Sequence, residues 1–190
     1  TISRTAAISG ALHDDLLNRL LFEVWRAGIA DMTLSTDDGS LEPIMLLPLK
    51  AEQGSIAVNP GLPPVIVEEG GKLQLQMGEL EVTILTPGGE LGESLTASVN
   101  VFAPVEVYAQ NGMLTLDIGD PELVMMVRES DWGATDTTIT QLLEEVLPIN
   151  TLLALLGTIE FELPSLAFLT IDSASTDRDG YNTTLDIKLK

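Results

Sequence analysis

The chain contains no cysteine, so disulfides, a thiol nucleophile and thiolate metal ligation are all excluded. It has a single histidine, His13, next to Asp14 and Asp15. There the imidazole reads as a solvated residue of a helix's first turn, with the two acids complementing the helix dipole. A Ser-His-Asp triad would have to use His13, and no nucleophile-elbow pattern accompanies it. A histidine-based metal site is equally unsupported. Basic residues are scarce, with 9 Lys and Arg against 29 Asp and Glu, for a net charge of −20. Contacts to the phosphates of nucleic acid or of an anionic membrane need a Lys/Arg surface, so neither partner is expected. The glycine pairs Gly70-Gly71 and Gly88-Gly89 lack the spacing of a phosphate-cradling loop and read as turns. Aromatic residues make up only 4%, which leaves the packing to aliphatic side chains.

What the chain does have is aliphatic bulk. Apolar residues reach 45%, and the mean hydropathy is +0.26. A length of 190 residues suits one domain, or one half of a two-domain protein. The acidity reads first as solubility for an apolar-rich chain, with a saline habitat or calcium binding as alternatives. Asp37-Asp38-Gly39 and Asp177-Arg178-Asp179-Gly180 look like the start of calcium loops, but neither continues with the spaced ligands such a loop needs. Both read as polar turns. Acid pairs such as Glu68-Glu69 and Glu144-Glu145 arise readily in so acidic a chain, and none is singled out as a catalytic pair. No enzymatic activity, cofactor or metal is expected. The chain does not begin with Met and shows no signal peptide, so it reads as an excerpt of a longer or processed protein. The most apolar stretch, Val146 to Ile159, suits a buried helix better than a membrane span of about 20 residues.

The periodicities predict two helices set among long strands. From Leu12 to Gly28, the residues Leu16, Leu17, Leu20, Leu21, Val24, Trp25 and Ala27 cover roughly 180° at about 100° per residue, and Phe22 lies outside even that arc. A surface helix usually needs little more than about 100°, so this one has surplus apolar surface to bury on lipid or on a second domain. Met32–Leu34, Ile44–Leu49 and Pro64–Glu69 read as extended, with Pro and Gly clusters at 59–64 as turns. Lys72 to Thr86 alternates with Leu73, Leu75 and Met77 inward, then changes parity to Leu80, Val82 and Ile84. The slip falls at Gly78 and predicts a β-bulge. Leu95 to Ala109 keeps one parity throughout. Asn111-Gly112 then predicts a hairpin into Met113–Ile118, and Gly119-Asp120-Pro121 a second turn into Glu122–Arg128, giving a meander. Thr138 and Gln141 form a capping-box pattern for a second helix, with Ile139, Leu142, Leu143, Val146 and Leu147 on one face. Pro148 kinks or breaks it, and Gly157 stops the all-round apolar continuation. Trp132, in the loop ahead of that helix, reads as ordinary packing or as a lipid-head contact. The chain closes with strands at Thr158–Leu163, Leu166–Ile171 and Thr183–Lys190.

This order resembles one half of the bactericidal/permeability-increasing protein family, which includes lipopolysaccharide-binding and cholesteryl-ester-transfer proteins and belongs to the tubular lipid-binding (TULIP) superfamily. The likeness is greatest to the C-terminal half. It is carried by Ile8–Thr33 as the opening helix, by Pro63–Ile84 as the Pro-Pro start of a long strand, by Gln141–Phe168 as the Pro-broken final helix and its exit, and by Leu166–Leu189 as the terminal strands. The resemblance implies an α+β fold over residues 1–190: a long, highly twisted antiparallel sheet wrapped around a long α-helix, plus a second, Pro-kinked helix. It implies a single non-enzymatic domain, secreted or periplasmic, that holds acyl chains in an apolar pocket between helices and sheet. The residues nominated to touch lipid are Leu17, Leu20, Leu21, Val24 and Trp25 on the first helix, and Leu143, Val146 and Leu147 on the second. Expected partners are a lipid or other long apolar ligand, and a second such domain or another copy of the chain. The family's host-defence members are basic where they meet lipopolysaccharide, and this chain departs from them in its acidity. The alternative is a structural or protein-interaction domain of the same fold with a filled core.

Overall fold

The computed structural model describes residues 8–29, 31–110, 113–162, 171–179 and 182–189. Their fold is α+β, with helices on one face of an 11-stranded sheet in which every pairing is antiparallel. In chain order the elements are β1 (Ile8–His13), α1 (Asp14–Arg26), β2 (Met32–Ser35), a 3-10 helix (Pro43–Leu49), β3 (Ser55–Pro60), β4 (Val65–Glu69), β5 (Lys72–Leu85), β6 (Ser94–Gln110), β7 (Met113–Ile118), β8 (Glu122–Ser130), α2 (Asp136–Val146), α3 (Ile149–Gly157), β9 (Phe161–Glu162), β10 (Ile171–Asp179) and β11 (Asn182–Leu189). The sheet runs β1-β11-β10-β6-β5-β3-β2, with β4 also beside β5, β7 and β8 beside β6, and β9 beside β7.

The centre is the β5–β6 hairpin. β6 has 17 residues, a length of roughly 55 Å at about 3.3 Å per residue. Each flanking edge is one long strand broken once. β3 pairs with Leu80–Leu85 and β4 with Lys72–Gln76, so both run the same way along β5. β7 pairs with Val105–Gln110 and β8 with Leu95–Phe102, so both run the same way along β6. Gly119-Asp120-Pro121 is therefore not a reversal, and the expected meander is corrected to an in-line step. Pro104 explains the step. It lacks an N–H, its carbonyl accepts from Gly119 N at 2.9 Å, and a Cβ on Gly119 would stand 2.9 Å from the proline ring. The hairpin expected at Asn111-Gly112 lies outside the described residues, although Gln110 faces Met113 across it.

The bulge falls where the parity slip put it, between Met77 and Leu80. Glu79 takes φ 50°, its N–H donates to Asn100 Oδ1 at 2.9 Å, and its carbonyl accepts from Gly61 N at 3.1 Å. The inner face is then apolar from Leu73 to Ile84 on β5 and from Leu95 to Val107 on β6, nearly all of it fully buried.

Four further expectations change. The first helix spans 13 residues, about 20 Å, rather than Leu12–Gly28, because Leu12 belongs to β1 and pairs with Thr183. Pro43–Leu49 is a 3-10 helix and not a strand, with Pro43 in its first turn and Pro48 inside it. A proline's fixed φ and missing donor disfavour a strand there. α2 begins two residues before Thr138. Its cap is Thr135, whose Oγ1 accepts from Thr138 N at 3.4 Å, so the Thr138–Gln141 capping box does not form. β10 runs to Asp179, so Asp177–Asp179 is strand. Residues 163–170, which held part of the last strands expected, lie outside the described set.

Pro148 separates α2 from α3 with a bend of 43°. Among the described residues, no single helix is long and apolar enough to cross a membrane, and the bent pair together meets that length and composition. Its apolar stripe, Ile139, Leu143, Val146, Ile149, Leu152, Leu153 and Leu156, is buried in the protein core.

Candidate functional site

The helix-bearing side is built from four contacts: α1 rests on β4, α2 on β8 and on the 3-10 helix, and α3 on β7. α1 starts because His13 caps it. His13 Nδ1 accepts from Asp15 N at 3.2 Å, and Asp14 and Asp15 sit at the positive end of the helix, with Arg26 in the last turn. The only imidazole is thus an exposed structural cap. α1 buries Leu17, Leu21 and Val24 against the sheet.

Two polar pins hold one flank of α1. The Asn18 amide pairs with the edge of β4 as a strand would: its Nδ2 donates to Ile66 O at 3.0 Å, and its Oδ1 accepts from Ile66 N at 2.6 Å. Two turns later, Trp25 Nε1 donates to Pro60 O at 2.8 Å. By helical geometry Trp25 and Phe22 lie on this flank of the buried stripe, and Leu16 and Leu20 on the other. The Phe22 and Trp25 rings stand 5.6 Å apart, centroid to centroid. Leu16 is 44% exposed and Phe22 41%, while Leu20 and Trp25 are half-buried. The surplus apolar surface expected of this helix is therefore present as two open shoulders beside a closed centre.

The nominated residues divide in the same way. Leu17, Leu21, Leu143 and Val146 are at most 1% exposed and Val24 is 8%. A side chain without accessible area has no ligand-sized space beside it. Leu20, Trp25 and Leu147 keep accessible surface. Leu17, Leu21, Val24, Leu143, Val146 and Leu147 share one core, while Leu20 and Trp25 lie outside it, and with α1 against β4 and α2 against β8 the eight do not form one patch. Leu155 on α3 is a further open apolar residue, at 42%. An open cleft of about 440 Å³ runs between α3 and β7, lined by Leu116, Ile118, Asn150, Leu153 and Ala154 among others. Gly157 closes the helix onto β7, where a Cβ would meet Leu116 O at 3.3 Å. The Asn18–Ile66 pairing is a site feature missed in the sequence, and a polar amide beside an apolar stripe is its only signal.

The remaining chemistry resolves into structure. Trp132 is 5% exposed and packs in the core. Asp38 closes its own turn, accepting from Ser40 N at 2.9 Å and from Ser40 Oγ at 2.5 Å, and the Ser40 hydrogen bonds hold its carboxyl below the usual aspartate range. Among the described residues, no three His, Asp or Glu side chains are placed to hold a metal ion.

Comparison with known proteins adds little. No family model and no curated protein sequence matches the chain. Among solved structures, it is similar to the crystal structure of lipopolysaccharide binding protein, with a TM-score of 0.40 and 17% identity, over 97% of this chain and 40% of that one. The chain thus spans under half of that protein's length.

Proposed function

We propose that the chain is a non-enzymatic lipid-binding module that holds acyl chains on its helix-bearing side. The observation that carries this reading is the pair of open shoulders on α1, where Leu16 and Phe22 remain over 40% exposed beside a fully packed stripe. An acyl chain laid there covers Leu16 and Leu20, or Phe22 and Trp25. Leu17, Leu21 and Val24 are the floor beneath it, and Leu143, Val146 and Leu147 fix the second helix. Binding draws on roughly 0.8 kcal/mol per methylene removed from water, without a charged contact. The net charge of −20 disfavours anionic headgroups, so neutral or zwitterionic lipids and fatty acyl esters fit best. By the family resemblance, the module works outside the cytoplasm, secreted or periplasmic, as a single domain.

A second reading has its own support. Leu143, Val146 and Leu156 at 0% exposure describe a filled interior, as in a structural or interaction domain whose open shoulders dock onto a second such domain or another copy. Native mass spectrometry of the purified chain, with titration of a fluorescent zwitterionic phospholipid, tests both. Co-purified lipid or saturable uptake supports the first reading. Absence of both sinks it, and a doubled mass without lipid favours the second.

A further inference from the structure

The face of the sheet turned away from the helices carries an apolar groove that the lipid reading leaves unused. Antiparallel partners point to the same side, so Val65, Gln76, Phe102 and Glu122 form one row across four strands. In the next rows Val124 lies beside Asn100, and Met126 beside Ser98 and Glu81. Val124 is 50% exposed and Met126 52%, and Leu62, on the β3–β4 connection, is 51%. A cleft of about 580 Å³, walled by Leu62, Pro63, Val65 and Phe102 with Gln76 and Asn100 beside them, opens here. At the bulge it abuts a polar cleft of about 610 Å³, because Gly61 and Glu79 line one, and their neighbours Leu62 and Gly78 the other. The polar cleft presents Glu79, Glu81 and Glu129 against Arg128 alone. Among the described residues, none of these four side chains is in an ion pair.

We propose that this outer groove docks an extended segment of a basic partner protein, with a large apolar side chain seated between Leu62, Val65 and Phe102 and a neighbouring Lys or Arg held by Glu79. Charge chooses the partner. A second copy of a chain with net charge −20 would lay the same acidic rim against this one and be repelled, whereas a cationic segment is drawn in. Glu79 is the natural anchor because the bulge sets it where the two clefts meet. Its φ of 50° is a conformation that glycine adopts more readily, so stability alone does not select Glu there.

The test uses fluorescence anisotropy with a labelled peptide alternating Lys and Leu, and a Lys–Ser peptide as the composition control. Val65→Ser and Phe102→Ser weaken Lys–Leu binding about tenfold. Glu79→Gln weakens it about threefold and increasingly less so as salt rises. Glu144→Gln, the same charge change on the opposite, helix-bearing side, leaves it unchanged. Glu79→Gly raises the melting temperature and still weakens binding, which separates the carboxylate's role from its conformation. Equal affinity for the Lys–Ser peptide, or an equal loss in Glu144→Gln, reduces the attraction to diffuse charge and overturns the proposal. So does binding of zwitterionic vesicles that Phe102→Ser abolishes while the Lys–Leu peptide fails to bind.

Discussion

α1 and α2 carry similar amphipathic patterns, yet they are held in opposite ways. α2 is gripped on two sides, by β8 and by the 3-10 helix, and its Ile139, Leu143 and Val146 are at most 1% exposed. Its polar contacts are local, such as Thr135 to Thr138 and Thr140 Oγ1 to Asp136 O at 2.9 Å. α1 is pinned along one flank by Asn18 to Ile66 and Trp25 to Pro60, and its shoulders stay open. The number of apolar residues on a helix therefore does not decide how much of them is covered. A neighbouring element does, and the 3-10 helix supplies that cover for α2. An open apolar shoulder next to a fixed polar pin is a surface that can take a ligand without disturbing the fold.

The comparison breaks first at the core. Leu143→Ala opens a cavity between α2 and the sheet and costs about 2–5 kcal/mol in urea denaturation, while Leu16→Ala costs under about 0.5 kcal/mol. Equal losses would mean that α1 is as tightly covered as α2. The next largest effect tests the pins. Asn18→Ala leaves the Ile66 N–H and C=O without their partner in a half-buried place, which costs about 1–3 kcal/mol. Amide exchange at Ile66 accelerates with it, and exchange on β8 does not. Trp25→Phe keeps most of the ring and removes only the donor to Pro60 O, a loss of about 1 kcal/mol measured in the same denaturation series.

The legible part of this fold was what local chemistry decides. The bulge at Gly78 followed from a parity change that only an extra residue can reconcile with a buried face. The break at Pro148 followed from a missing donor. The surplus on α1 followed from counting apolar angles, and its exposed shoulders are that surplus. What misled were features set by distant neighbours. Ile44–Leu49 is apolar enough for a strand, but its prolines and its seat against α2 make it a 3-10 helix. Gly119-Asp120-Pro121 is turn chemistry, but Pro104 across the ladder gives it an in-line step to accommodate. For the candidate site, the stripe on each helix was readable from spacing. Which flank would stay open was not, because that depends on Asn18 reaching β4, 48 positions further along the chain.

The smallest change in stability is the one that bears most on function. Leu16→Ser removes an apolar side chain that is already 44% exposed, so denaturation shifts by no more than about 0.5 kcal/mol. If an acyl chain lies across this shoulder, the same substitution strips apolar contact worth about two methylenes and weakens uptake of the zwitterionic lipid about tenfold. Phe22→Ser tests the opposite shoulder, at an added cost of about 0.5–1.5 kcal/mol for the lost contact with the Trp25 ring. The two variants report which shoulder the ligand prefers, because each leaves the other intact. Uptake unchanged in both, in chains that remain folded, would leave α1 as a helix open for a protein partner. The sedimentation mass of the wild type should then exceed that of Leu16→Ser at high concentration.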